Sequence, residues 1–172
     1  MEYFIDVAGI AHKNRDGTLR SEIVSDRLSD DLSGIEVSLR RCGGNRHNKN
    51  AVGIYISKSG RSGFDDEMIG FVDRDQAKEI SPMLKNGGNI LEQKITRVWF
   101  PEYSSVARPC VNIRIKTDWT KSDVNRTLKV ISEQRKDERI KRKDEIVDEQ
   151  KTSDSPLVSN VISFVIKLFK RK

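Results

Sequence analysis

The chemistry this chain can do is concentrated between residues 40 and 50. There Arg40, Arg41, Arg46 and Lys49 crowd around Asn45, His47, Asn48 and Asn50, with Cys42, Gly43 and Gly44 leading in. Guanidinium and ammonium groups hold phosphates, amides bond sugars and base edges, and an imidazole both donates a hydrogen bond and stacks. Such a surface suits an anionic ligand. The same residues also fit a plainer role, because Asn-rich turns beside glycines bond their own backbone and surface turns ordinarily carry charge.

Two strand-like segments must position this turn. In residues 34–41, Val37 and Leu39 share one face while Glu36, Ser38 and Arg40 take the other, the alternation of a half-buried strand. Val52, Ile54 and Ile56 repeat it on the far side. Upstream, residues 3–10 read as a strand, residues 14–17 as a turn and residues 20–28 as a helix, with Ile23, Val24, Arg27 and Leu28 at helical spacings. Residues 58–67 read as a polar loop ahead of a short strand, residues 68–72. Asp73 is placed to cap a helix, with Gln76 closing a capping box. Ala77, Ile80 and Leu84 fall on one face of that helix, Pro82 bends its last turn, and Gly87-Gly88 stops it. Residues 90–100 form another strand, and Val111, Ile113 and Ile115 alternate with Asn112, Arg114 and Lys116 in the last. From the residues alone this is a small β-rich α+β domain.

Of the 172 residues, 35% are hydrophobic and 34% charged, so part of the chain is expected to be exposed or extended. The net charge of +6 is uneven: residues 1–118 carry a net of +1 and residues 119–172 a net of +5. Nucleic-acid binding by the front domain must therefore rest on a local patch. Cys42 and Cys110 are too few for a four-cysteine metal site, and His12 and His47 lack zinc-finger spacing. No metal, cofactor or disulfide is expected. The absence of a secretory segment at the N-terminus leads to the expectation of a cytoplasmic protein.

Five linked pieces resemble the HIRAN domain family: the strand Val7-Ala8-Gly9, the turn 14–17 with its continuation 20–23, the central strand with the turn 45–51, the strand Ile69-Gly70-Phe71 and the helix 77–87. The resemblance covers residues 4–117. HIRAN modules occur alone or fused to helicase-like ATPases, and the resemblance implies a modified OB-like or SH3-like β-barrel with one or two short helices. It further implies noncatalytic binding of single-stranded or frayed DNA, at a free 3′ end in studied relatives, in repair or replication. Carried over by the motif, Asn45 keeps its Asn, His47 stands where Tyr is usual, and Asn48 stands where Asp is usual. His12 and Phe71 match aromatic positions and Arg74 a basic one. Arg41, Arg46 and Lys49 are expected to hold phosphates. A histidine offers less stacking surface than a tyrosine, at about 1–3 kcal/mol per stacked base. An Asn in place of an Asp accepts less strongly from a sugar hydroxyl while removing a charge that repels phosphate.

Competing roles remain at single positions: Gly70 as a site of close strand packing, Phe71 as core, His12 and His47 as ordinary surface residues, and Cys42 as an idle thiol. Nucleotide hydrolysis is not expected, because no Gly-rich loop ends in Gly-Lys-Ser/Thr. The carboxylates Asp65, Asp66, Glu67, Asp73 and Asp75 fit capping and solubility better than metal catalysis.

After residue 118 the pattern changes. Val124, Leu128 and Ile131 have helical spacing, residues 133–150 are almost wholly charged, and Asp154-Ser155-Pro156 interrupts, so residues 119–154 form a charged helical or flexible connector. Residues 155–172 place Val158, Val161, Ile162, Val165 and Phe169 on one stripe of a terminal amphipathic helix. It is too short to span a bilayer. Three destinations suit that stripe: a second copy of the chain, the barrel of the same chain, or a membrane surface. A different reading of the whole follows, a protein-interaction or scaffold module that docks a helicase or other repair protein through the tail.

Overall fold

Residues 1–60, 63–102 and 108–153 are described by the computed structural model, with side chains through residue 146. Alternating apolar residues build two antiparallel sheets. One has the order β1-β6-β5, from β1 (Glu2–Asp6), β5 (Ile90–Trp99) and β6 (Cys110–Thr117); the other runs β2-β3-β4, from β2 (Ile35–Arg41), β3 (Val52–Lys58) and β4 (Phe64–Phe71). In β6, Val111, Ile113 and Ile115 are buried while their neighbours face outward. In β3, Val52, Ile54 and Ile56 do the same work, each worth about 1.5–3 kcal/mol of transfer free energy when fully buried.

The two sheets are joined by a backbone hydrogen-bonded bridge at Ala8–Phe71, and β2 also runs close to β5. Past β1 the chain continues extended, and Ala8 pairs with Phe71: each amide donates to the other's carbonyl, at 2.8 and 2.9 Å. Gly70 permits the approach, because a Cβ there would run into Val7 and lie 2.6 Å from the Ala8 carbonyl oxygen. The fold is thus a mixed α/β arrangement of two three-stranded antiparallel sheets with three helices, and neither sheet closes on itself.

Helix α1 (Arg20–Leu28) buries Ile23, Val24 and Leu28 against the core, as its spacing predicts. Helix α2 (Arg74–Lys85) buries Ala77, Ile80 and Met83. Asp73 caps it by accepting from the Asp75 amide at 2.9 Å. The expected capping box does not form: the Gln76 amide reaches across to the Phe4 carbonyl instead, 2.7 Å away, and ties the helix to β1. Pro82 is accommodated inside the helix, and Asn86 with Gly87, at φ +84°, ends it.

The polar segment 58–67 is also corrected. β4 begins at Phe64, so Asp65, Asp66 and Glu67 lie on a strand. Phe64 pairs with Lys58 across the hairpin, and the two inner carboxylates find cationic partners on neighbouring elements. Arg27 grips Glu67 with two bonds of 2.8 and 2.9 Å, and Arg40 pairs with Asp66.

The chain divides into two units, Met1–Leu128 and Lys129–Lys172. Val124 is buried in the first. Helix α3 (Lys121–Ser153) is one continuous helix where the sequence left helix or flexible connector open. Its residues from 132 to 146 are exposed on every side, as their charge density requires. The expected terminal helix, residues 155–172, lies outside the described residues, as does the break at 154–156. No described helix is long and apolar enough to cross a membrane.

Candidate functional site

A single side chain organises a wide concavity. Arg20, only 7% exposed, enters from the first turn of α1. Its Nε donates to Asn14 Oδ1 at 2.8 Å, its Nη1 to the Gly9 carbonyl at 3.0 Å and its Nη2 to the Lys13 carbonyl at 3.4 Å. Its guanidinium also lies 4.8 Å from the centre of the Phe71 ring, a cation–π distance. Burial pulls its pKa below the ordinary arginine value, yet arginine stays charged at any physiological pH. Asn14 passes the restraint on by donating from Nδ2 to the Met68 carbonyl, 2.9 Å away. One buried cation thus fixes the turn 13–18, the end of β4 and the Phe71 ring together.

Around it opens a cleft of about 840 Å³, whose lining includes Lys13, Arg15, Arg20, Arg41, Asn45, Tyr55 and Phe71. That volume lies in the range of about 300–1,000 Å³ typical of ligand sites. Its three carboxylates are already engaged: Asp16 accepts from the Thr18 amide at 2.9 Å, Asp66 pairs with Arg40 and Glu67 with Arg27. Lys13 and Arg15 form no ion pair among the described residues, and Arg41 rests its Nε on the Ser81 hydroxyl, 3.1 Å away. The lining thus carries four cations against three carboxylates, two of which are ion-paired to Arg40 and Arg27, and its formal charge is positive. Tyr55 sits under the Arg40 guanidinium at 4.9 Å, and burial, with the Cys42 thiol beside it, pushes its phenol pKa up.

The nine residues expected from the sequence are only partly assembled. Phe71, Arg41 and Asn45 line the cleft. His12 adjoins it: a Cβ on Gly9 would meet Arg20 at 3.2 Å, the His12 ring at 3.6 Å and the Phe71 ring at 3.7 Å, so three side chains converge over that glycine. At φ +76°, Gly9 also occupies a backbone region that favours glycine. The turn 42–51 is held internally. Asn45 Oδ1 accepts from the amides of His47 and Asn48, at 2.9 and 3.1 Å, and Asn48 Oδ1 from the Asn50 amide at 2.9 Å. Turn formation thus takes both lone pairs of Asn45 Oδ1 and one of Asn48 Oδ1. Arg46, His47 and Lys49 are exposed on the outside of the turn, and Arg74 is exposed at the start of α2; none of the four lines the cleft.

Lys13, Asn14, Arg15, Arg20 and Tyr55 were missed. The signal for Arg20 was slight, a charge opening an amphipathic helix six residues after Asn14. Two of its three hydrogen-bond partners are backbone carbonyls, which leave no mark in a sequence.

A family model described as the HIRAN domain matches residues 17–108, more than half of the chain. The chain belongs to the HIRAN family. HIRAN domains are noncatalytic and, in general, nucleic-acid-binding modules. The HIRAN match contains eight of the nine expected site residues; His12, β1 and β6 fall outside it. No curated protein and no solved structure matches the chain. Among the described residues of this HIRAN protein, no three His, Cys, Asp or Glu side chains converge where a metal ion would sit.

Proposed function

We propose that the cleft receives the end of a single-stranded or frayed DNA strand, and that the protein is a noncatalytic DNA-binding module of repair or replication acting beside a helicase-like ATPase. The observation that carries this reading is the pairing pattern of the cleft. Two of its three carboxylates, Asp66 and Glu67, are paired with arginines, while Lys13, Arg15 and Arg41 present positive charge to an arriving phosphate. Phe71, backed by Arg20, gives a base a ring to stack on without sequence preference. Exposed Arg46 and Lys49, on the turn that carries Asn45, and exposed Arg74 add positive charge outside the cleft.

Discrimination of a free 3′ end is expected to be small. The amide oxygens that would accept from a terminal hydroxyl, those of Asn45 and Asn48, already carry bonds within the turn. Anisotropy titrations of short labelled oligonucleotides at low salt test both levels. Binding is expected for free and 3′-phosphorylated strands, with affinities within about tenfold, since one neutral hydrogen bond is worth only about 0.5–1.5 kcal/mol. No binding at low salt would remove the proposal. A much larger preference for the free end would restore end recognition as the main determinant.

A further inference from the structure

A second concavity, about 390 Å³ in volume, opens on the other sheet. Trp99, Arg97, Asn112, Asp6 and Val7 belong to its lining. Its shape follows from β5. Val98, opposite buried Val111, points inward, so alternation turns Trp99 and its partner Cys110 outward. A register shift between Ile95 and Arg97 then leaves both Thr96 and Arg97 exposed, a bulge re-aiming a cation toward the side that Trp99 occupies. The indole is left 43% exposed. Asn112 Nδ2 donates to Asp6, which leaves the side-chain Oδ1 of Asn112 to accept from a base edge.

We propose that this concavity is a second nucleotide subsite, in which Trp99 stacks on a base and Arg97 meets the adjoining phosphate of the same strand that enters the cleft. The inference rests on the cleft reading, and continuity joins the two sites. Val7 lines this concavity, the next residue, Ala8, pairs with Phe71 in the cleft, and the carbonyl of Gly9 is held by Arg20. Along an extended backbone, Val7 and Gly9 are roughly 7 Å apart. A strand leaving the cleft past this segment meets an aromatic ring and a cation, the pairing that single-strand binders repeat along their grooves.

The test uses the full chain with 5′-labelled oligonucleotides of two and eight nucleotides. Trp99→Ala is expected to weaken the octamer about tenfold and leave the dinucleotide unchanged, because Trp99 projects from the outer face and its removal leaves the core intact. Saturation with the unlabelled octamer is expected to quench indole fluorescence in the wild type and not in Trp99→Ala. Arg97→Gln is expected to lower octamer affinity and its salt dependence. Unchanged octamer affinity in Trp99→Ala, an equal loss for both lengths, or quenching that persists in that variant each overturns the subsite while the cleft reading stands. Failure of the wild type to bind either length overturns both.

Discussion

At the scale of single residues, Arg20 and the two asparagines of the turn carry opposite lessons. Arg20 joins backbone carbonyls, an amide and a ring, and a lysine, with one ammonium in place of a planar fork, cannot replace it. Arg20→Ala is expected to lower stability by about 2–3 kcal/mol, since it leaves part-buried acceptors without donors; Arg20→Lys should recover less than half. Urea denaturation followed by far-UV circular dichroism measures both. Asn45 and Asn48, by contrast, were legible in the sequence as turn residues and as ligand contacts at once. The structure shows the first role directly, with three backbone amides bonded to their side-chain oxygens. Residue type announces what a group can bond, and spacing does not say which partner arrives first.

At the scale of elements, the alternating segments β2, β3 and β6 and the helices α1 and α2 were readable because each has one apolar face with a clear period. The start of β4 was not, because Asp65, Asp66 and Glu67 resemble loop until Arg40 and Arg27, distant in sequence, are brought alongside. The open junction of the sheets was equally hidden. It depends on Gly70 meeting Val7 and Ala8, a tertiary approach with no local signature. Gly70→Ala is therefore expected to cost about 1–3 kcal/mol, the usual penalty of inserting a methyl group where backbone already packs. A lowered thermal midpoint with unchanged helix content would show it; an unaltered midpoint would mean that the junction yields freely.

At the scale of the whole molecule, charge is the governing variable. Asp16, Asp75, Glu92, Asp118 and Asp123 are all held below the ordinary carboxylate range, chiefly by the Thr18 amide, Lys78, Arg114, the Asn89 amide and the Thr120 hydroxyl respectively. A carboxylate whose folded pKa is depressed stabilises the fold above its unfolded value, near 4, and that contribution is lost as pH falls through the folded value. The thermal midpoint is thus expected to vary little from pH 7 to 5 and to fall below about pH 4. For DNA, contacts from Lys13, Arg15 and Arg41 to three phosphates predict a slope of log K against log salt near −2, at about −0.7 per phosphate of a single strand. Neutralising Arg15 should reduce it by about one contact. The paired amides of Ala8 and Phe71, finally, make the protein its own strain gauge. Slippage of one sheet against the other strains those two bonds, so their hydrogen-exchange rates register relative sheet motion, and on the proposed reading a strand seated in the cleft slows them more than amides in the interior of either sheet.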